Sequence, residues 1–329
     1  MIEVKDYPVG GWSQAGPDRS EWYCARLEEG QILFFPQTPF DLPPDDRDFL
    51  IGVRQTTAAY HKNISYRPRQ GQVNGLDRGS ADRDRLGAIF RDYSRRVTGF
   101  ASDFLAPYAR GWQLDFASFR SVEEHGRDLP LKSRNDLLHT DAFPTRPTNG
   151  NRILRIFTNL NPSEPRVWLT GEPFDVLAPR LAEDAGLEDC AQSARSLWRP
   201  VTRLPARVGS WLGLPTPDRS PYDRFMLGFH HYLKANQVFQ ESSSKSRCEF
   251  PPNSTWIVFT DSVPHAVLSG RLALEHTYIV SERDLVLPEK SPRQVLERLC
   301  GTSLRNGTDR ARSAPGDSSG IQSPGVSPR

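Results

Sequence analysis

Three side chains in this sequence have the types and the spacing of a metal site. The segment NDLLHTDAFPTRP places His139 and Asp141 two residues apart. On a β-strand, residues two apart point to the same face, so this imidazole and this carboxylate would converge on one point. A further His would complete a facial triad that binds Fe(II) and leaves coordination positions open. Because an H-x-D pair also arises by chance, a turn-capping His beside a solvated Asp is the alternative.

The third ligand is expected from the C-terminal part of the chain, where four histidines are candidates. His265 follows Pro264 in TWIVFTDSVPHAVLSGRLALEHTYIV, at the start of a predicted strand, so it would face inward from a barrel wall. His230 and His231 lie in a predicted helix, where at most one could face the core, and His276 lies in the middle of a strand. The pattern therefore favours His265.

The elements that must position these ligands follow from the hydrophobic periodicity. Residues 21–36 are interpreted as two short strands around a Glu-Glu-Gly turn, and residues 66–85 as a long polar loop. Apolar residues at helical spacing predict one helix over 83–104 and another over 221–240. Period-2 patterns and short apolar runs predict strands at 113–116, 118–122, 152–160, 166–169, 256–260, 266–269 and 272–280.

Many short strands without alternating helices predict a mainly β protein. The pattern favours a barrel or a double-sheet jelly roll with helices packed outside. We expect one domain over residues 1–300, with a β core at about 112–285 and residues 21–105 packed on it. The last stretch, 301–329, is rich in Ser, Gly, Pro and Arg and is predicted to be a disordered tail.

Composition narrows the function classes. The hydrophobic fraction is 37% and the formal net charge only +2, which indicates a globular protein and gives no argument for nucleic acid. The 4 Cys residues form no C-x-x-C pair, so neither a structural zinc site nor a disulfide framework is expected. We expect no signal peptide and no membrane span, and therefore a cytoplasmic location. Nothing in the sequence indicates an oligomeric state.

Two long runs carry a family resemblance. They are DLLHTDAFPTRPTNGNRILRIFTNLNPSEPRVWLTGEPF at 136–174 and TDSVPHAVLSGRLALEHT at 260–277. Both resemble the bacterial hydroxylases of 3-deoxy-D-manno-octulosonic acid (Kdo), a sugar of the lipopolysaccharide inner core, and the resemblance extends over about 8–289. It implies a double-stranded β-helix (the cupin-like jelly roll of 2-oxoglutarate oxygenases), with His139, Asp141 and His265 as iron ligands.

The same resemblance implies the reaction. It adds a hydroxyl group at C3 of Kdo to give Ko, on a Kdo-lipid A or lipopolysaccharide precursor. The implied cofactors are Fe(II), 2-oxoglutarate as co-substrate and O2, with ascorbate as a stimulant. A lipid-linked substrate would allow peripheral association with the inner membrane at most, because the aromatic stripe of the helix at 221–240 is predicted to face the core.

A 2-oxoglutarate enzyme needs a cation for the distal carboxylate, ideally an Arg fork on a rigid strand. Arg155 lies between two apolar residues on one face of a predicted strand, where a buried Arg is rare unless paired. The ranking for this anchor is Arg155 with Arg166 and Trp168, then Arg120, then Arg271. For each arginine, a structural salt bridge or a surface position is the alternative.

Substrate contacts are expected from arginines near the metal motif, because Kdo carries a carboxylate and lipid A carries phosphates. Arg146, in the loop after the H-x-D pair, and Arg152 are the candidates. The alternative is ordinary loop chemistry, since Pro, Asn and Gly in this loop are turn formers.

Three other functions stay open at this stage. One is a 2-oxoglutarate oxygenase that acts on another small molecule, sugar, amino acid or peptide. A second is a cupin-like binding protein without a working iron. A third is an isomerase or epimerase on a cupin barrel, which is weaker because such enzymes usually have denser His clusters than this chain.

Overall fold

The computed structural model describes residues 1–5, 7, 17–53, 63–76, 80–126, 128–196, 219–242 and 244–306. Within these residues, strands form a large and a small sheet. The strands are β1 (Ile2–Glu3), β2 (Leu33–Phe35), β3 (Ile64–Arg67), β4 (Gln72–Asn74), β5 (Gln113–Arg120), β6 (Arg152–Asn159), β7 (Arg166–Thr170), β8 (Ser246–Phe250), β9 (Thr255–Phe259), β10 (His265–Ser269) and β11 (Ala273–Val280).

The helices lie outside the two sheets. They are α1 (Pro17–Glu28), α2 (Pro44–Gly52), α3 (Arg83–Phe104), α4 (Ala106–Ala109), α5 (Phe174–Leu181), α6 (Leu187–Ser196), α7 (Pro221–Ala235), α8 (Gln237–Ser242) and α9 (Pro292–Cys300).

The two sheets form the double-sheet jelly roll that the strand pattern favours. The large sheet has the order β1-β2-β9-β6-β11-β5-β3-β4, and the small sheet has the order β10-β7-β8. All pairs are antiparallel except β1 with β2 at the edge. Strand β6 lies inside the large sheet between β9 and β11, so the residues of its inner face point towards the small sheet.

The face that each β6 side chain occupies follows the period of two. Leu154 and Ile156 belong to a core that also contains the buried face of α3, on the outer side of the large sheet. Phe157 points the other way and packs with Trp168 of β7 and Trp256 of β9 between the sheets, with ring centroids 5.0 and 5.2 Å away. This aromatic packing separates the sheets and leaves room for a polar site at one end.

Most of the predicted elements are confirmed. The helix over 83–104 is α3, and all the strands predicted from residue 113 onward are present as β5, β6, β7, β9, β10 and β11. The predicted helix over 221–240 is two helices, because it breaks at Asn236 between α7 and α8. Phe225, Phe229 and Leu233 of α7 are buried, which confirms that this stripe faces the core.

The prediction for residues 21–36 is wrong in its first half, which is helix α1. Ser20, Tyr23, Cys24 and Leu27 are buried and stand at positions i, i+3, i+4 and i+7, which is one face of a helix. Burying this face against the large sheet and α4 stabilises the helix, and Gly30, with φ +82°, begins the turn to β2. Short apolar runs flank the Glu-Glu-Gly segment, and this pattern is also typical of a β-hairpin.

Two further boundaries differ from the predictions. The predicted loop at 66–85 contains the β3-β4 hairpin, whose buried Tyr66 and Val73 are cross-strand partners. At the C-terminal end, Leu304 is fully buried and its backbone carbonyl accepts a hydrogen bond from the Tyr222 amide, so residues 301–306 pack on the domain. The rest of the predicted tail lies outside the described residues. Among the helices described, none is long and apolar enough to cross a membrane.

Candidate metal centre

Backbone hydrogen bonds hold the H-x-D segment against the small sheet. His139 and His265 form an isolated antiparallel bridge, in which the His139 amide donates to the His265 carbonyl at 3.1 Å and the His265 amide donates back at 2.9 Å. The Asp141 amide donates to the Thr260 carbonyl at 2.7 Å. The segment therefore behaves as a short extra strand. Because residues two apart on a strand point to the same face, the side chains of His139 and Asp141 converge on one point, as predicted.

The three predicted ligands meet in space. One donor atom from each of His139, Asp141 and His265 lies within 4.8 Å of the others, and His139 Nε2 is 3.9 Å from Asp141 Oδ1. Each His donates from Nδ1 to a backbone carbonyl, to Leu137 at 2.7 Å and to Val263 at 3.0 Å. Because a nitrogen that faces a carbonyl must carry the proton, the Nε2 lone pair of each ring is free for a metal.

The charge states also suit a divalent metal. Burial lowers the pKa of His139 and of His265 below the ordinary value, so both imidazoles are neutral at physiological pH. Burial alone would raise the pKa of Asp141, but the positive charge of Arg155, the two neighbouring imidazoles and a hydrogen bond from Thr260 together outweigh burial and hold that pKa well below its usual range. Two neutral nitrogens and one carboxylate are the ligand set of a non-haem Fe(II) centre with open positions.

Two residues that the sequence analysis missed hold this segment from the helical layer. His230 of α7 donates from Nδ1 to the carbonyl of Thr140, between the two ligands, at 2.7 Å. Gln240 of α8 accepts from the Leu138 amide at 3.0 Å and donates to the Leu138 carbonyl at 2.9 Å, so its side-chain amide replaces a neighbouring strand. The sequence gives one indication of this role, which is that at most one of His230 and His231 could face the core of the protein.

The position of His230 gives a testable prediction. We expect His230→Gln to weaken Fe(II) binding by about tenfold, because outer groups that orient a metal-binding segment typically contribute about 10- to 100-fold to metal affinity. Anaerobic Fe(II) titration measures this. His231→Gln is the matched control, since His231 is adjacent and its Nδ1 has no hydrogen-bond partner in the part of the chain described. Equal affinities of the two variants would contradict the assignment.

A small cavity opens beside the triad. Its walls carry Arg120, Arg155, Phe157, Arg166 and Trp168 besides the three ligands. Four of these are predicted co-substrate residues, and the structure brings all four together. The Trp168 ring stacks on His265 at 5.1 Å between centroids, which fixes the plane of that ligand.

A carboxylate on β11 that the sequence analysis missed organises two of the arginines. Glu275 accepts from Arg120 Nε at 2.7 Å and from Arg155 Nη1 at 2.7 Å. Burial would raise the pKa of Glu275, but the two guanidinium groups outweigh burial and lower it. Arg155 also reaches Asp141, with Nη2 3.1 Å from Oδ2. Arg120 and Arg155 are therefore largely neutralised by protein carboxylates.

Arg166 is the arginine of this cavity that lacks such a partner. Its side chain is buried, and Nη1 donates to the Gly270 carbonyl at 2.7 Å. No hydrogen-bond partner is found for Nε or Nη2 among the described residues. Burial, followed by repulsion from Arg120, lowers the pKa of Arg166 to about 10. A buried guanidinium with unused donors is suited to an anionic ligand, because such a charge is costly unless paired.

The other predicted arginines lie elsewhere. Arg271 is exposed and does not line the cavity, and β11 begins only at Ala273. Arg271 lies at a turn rather than on the inner face of the sheet. Its position therefore does not support the predicted role in binding 2-oxoglutarate. Arg146 lies in a separate groove next to the cavity.

Arg152, a predicted substrate contact, is fully buried and has no surface to offer a substrate. Its Nε and Nη2 donate to the two carboxylate oxygens of Asp261 at 2.8 and 3.2 Å, and Nη2 also donates to Ser262 Oγ. Its guanidinium covers the Phe259 ring at 4.1 Å. Arg152 therefore joins the strand that precedes the third ligand to β6.

This geometry predicts a stability effect. We expect Arg152→Met to lower the free energy of unfolding by about 3–5 kcal/mol, because it leaves the carboxylate of Asp261 buried without its partner. Urea denaturation measures the loss. The double variant Arg152→Met/Asp261→Leu should recover part of it, since both charges are then absent. If Arg152→Met raised the substrate KM without loss of stability, the substrate role would stand instead.

A double-sheet jelly roll with a two-His, one-carboxylate triad beside an arginine-lined cavity defines the class of the protein. It is a non-haem iron, 2-oxoglutarate-dependent oxygenase.

Comparison with known proteins identifies the family. A family model described as 3-deoxy-D-manno-oct-2-ulosonic acid (Kdo) hydroxylase matches residues 11–303. Crystal structures of the Kdo hydroxylase KdoO, a non-haem Fe(II) α-ketoglutarate-dependent dioxygenase, are similar to this chain. The cobalt(II) complex has 32% identity and a TM-score of 0.78, with 93% of this chain and 97% of that chain covered.

A second KdoO structure, with α-ketoglutarate and Fe(III), has 32% identity and a TM-score of 0.77, with 93% and 98% covered. Among curated protein sequences, none matches significantly. The chain belongs to the Kdo hydroxylase family, which confirms the resemblance stated from the two sequence runs.

Proposed function

We propose that this protein hydroxylates Kdo at C3, giving Ko, in an Fe(II)- and 2-oxoglutarate-dependent reaction on a Kdo-lipid A precursor. The observation that carries the proposal is the convergence of His139, Asp141 and His265 beside a cavity with a buried Arg166, whose Nε and Nη2 have no hydrogen-bond partner among the described residues. Iron, 2-oxoglutarate and O2 together would supply an oxidant that replaces a C–H hydrogen by hydroxyl, with succinate and CO2 as the co-products.

In this proposal each residue of the site has its own role. His139, Asp141 and His265 hold the iron through two Nε2 atoms and a carboxylate oxygen. Arg166 binds the distal carboxylate of 2-oxoglutarate with Nε and Nη2, which have no partner in the described part of the chain. Arg155 orients Asp141. Phe157 and Trp168, both buried, exclude water from the side of the cavity towards the core.

Charge balance supports the joint binding of the metal and 2-oxoglutarate. The positive charges of Arg120, Arg155 and Arg166 face the negative charges of Asp141, Glu275 and Glu124 around this cavity. Glu123 also acts on Arg166, so the guanidinium groups are already matched by carboxylates, and a divalent cation with a dianion adds no net charge. Either ligand alone would bury uncompensated charge, so each should increase the affinity for the other.

Product analysis tests the proposed function. Purified protein is incubated with Fe(II), 2-oxoglutarate, O2 and Kdo-lipid A, and the product is examined by mass spectrometry together with succinate release. We expect one added oxygen atom on Kdo, located at C3 by fragmentation, and one succinate for each product. Succinate release that Kdo-lipid A leaves unchanged, while another sugar or an amino acid stimulates it, would contradict the proposal.

We further propose that contact with the inner membrane is at most peripheral and transient. The buried stripe of α7 supports this, because its apolar residues contact the protein core and leave no apolar face for lipid. Sedimentation with vesicles that contain Kdo-lipid A, compared with vesicles that lack it, tests the point. Equal and strong binding to both would contradict it.

A further inference from the structure

A second concave surface lies beside the loop that follows the metal ligands. This groove of about 420 Å³ is open to solvent, and its lining includes Arg67, Arg69, Asp115, Phe116 and Arg146. It lies between the β3-β4 turn and the loop at 143–146. Arg67 and Arg69 have no assigned role in the metal centre.

Arg146 is fixed in this groove by aromatic rings. Its guanidinium carbon is 4.1 Å from the centre of the Phe116 ring and 4.2 Å from that of the Phe143 ring, and it forms an ion pair with Asp115. Arg67 approaches the Phe116 ring at 5.0 Å. A planar cation held by two rings and a carboxylate is preorganised, so little side-chain entropy is lost when it contacts a ligand.

The groove is close to the metal centre. The Phe143 ring that contacts Arg146 is also 5.7 Å from the guanidinium of Arg155, and Arg155 contacts Asp141. Phe143 and Arg155 therefore lie between the groove and the triad. A substrate whose reacting carbon is at the iron would extend its next residue over Phe143 towards Arg146.

The charge of the groove is strongly positive. Among the described residues of its lining, Asp115 is the only acid against three arginines. Arg146 takes the charge of Asp115, whereas Arg67 donates to the neutral Gln70 at 3.2 Å. Arg67 and Arg69 are both exposed. The guanidinium groups of Arg67 and Arg69 thus remain available for an anion in this groove.

We infer that this groove binds a second anionic group of the substrate, a phosphate or carboxylate carried by the sugar next to the one that is hydroxylated. The inference rests on the proposed function and adds the residues that select an extended anionic substrate over an isolated Kdo unit. Forked guanidinium donors suit both anions, so the lining alone fits either source.

Substrate selectivity tests the inference. The value of kcat/KM is measured for deacylated lipid A that carries two Kdo residues and retains its phosphates, and for the methyl glycoside of Kdo. In the double variant Arg67→Gln/Arg69→Gln, we expect the ratio of the two values to fall by about tenfold, since charge-assisted hydrogen bonds to the adjacent anion are lost. Arg91→Gln, an exposed position on α3 with the same charge change, should leave the ratio unchanged.

The possible results distinguish failure of the inference from failure of the proposed function. An unchanged ratio in the double variant, or an equal loss on both substrates, overturns the inference while leaving the proposed function intact. Wild-type protein that adds oxygen to neither substrate overturns the proposed function and the inference with it. Phosphatase treatment of the larger substrate identifies the anion: loss of the wild-type preference indicates a phosphate, and a preference that persists and still depends on Arg67 and Arg69 indicates a carboxylate.

Discussion

Replacement of Asp141 by Asn is expected to reduce turnover by more than about 100-fold. Loss of an orienting outer group already costs about 10- to 100-fold in metal affinity or activity, and a direct ligand should cost more. The amide keeps the shape of the side chain but removes the negative charge that Arg155 and the two His ligands surround. The remaining site would hold two neutral imidazoles beside the guanidinium of Arg155, which repels a divalent cation once its Asp141 partner is uncharged.

Two measurements establish this result. Anaerobic titration of Fe(II) with 2-oxoglutarate present should give a visible charge-transfer band in the wild type and none in Asp141→Asn, and succinate formation should fall in parallel. The exposed His125→Gln serves as control, because it changes a possible metal ligand that does not line the cavity beside the triad. A variant that kept turnover within tenfold of the wild type, with the band intact, would show that Asp141 is not a ligand.

Replacement of Arg166 by Met is expected to raise the KM for 2-oxoglutarate by about 10- to 150-fold. A hydrogen bond to a charged group contributes about 1.5–3 kcal/mol, and each 1.4 kcal/mol is a factor of ten. The effect should fall on KM for 2-oxoglutarate more than on KM for Kdo-lipid A, because the donors without protein partners would bind the co-substrate. Arg166→Lys should restore part of the affinity.

The same variant has a second readout that a purely structural role would not give. Because no carboxylate among the described residues forms an ion pair with Arg166, its removal breaks no salt bridge, and the melting temperature without ligands should not fall. What should disappear is the stabilisation by added 2-oxoglutarate. Arg271→Gln, at an exposed arginine, should leave the KM for 2-oxoglutarate unchanged. A normal KM in Arg166→Met with a raised KM in Arg155→Met would assign the anchor to Arg155.

The sequence was sufficient to predict the triad and most of the cavity. The period of two on a strand aimed His139 and Asp141 at one point, and the same rule placed Arg155 and Phe157 on the inner face of β6. These are local properties, since they depend only on neighbours along the chain. Helix α1 shows the limit of local patterns, because its buried positions fit a helix but its short apolar runs resemble a hairpin.

Residues that depend on pairing between distant segments could not be predicted in this way. Glu275 meets Arg155 because β11 pairs with β6, with Phe157 opposite Glu275 in the register. His230 and Gln240 reach the H-x-D segment from helices about a hundred residues further along the chain. Strand register and helix docking decide such contacts, and neither is visible in hydrophobic periodicity.

The hydrogen bonds from His230 and Gln240 to the H-x-D segment have a consequence for how the protein should lose its metal. Apart from its bridge to His265 and the hydrogen bond from the Asp141 amide to Thr260, this segment is held by α7 and α8, whereas the large sheet is held by continuous strand pairing. Partial detachment of these helices would open the iron site while the sheets stay folded. On heating, iron release should precede the global unfolding transition, and amide exchange at Leu138 should be faster than at Ile156 in the centre of β6.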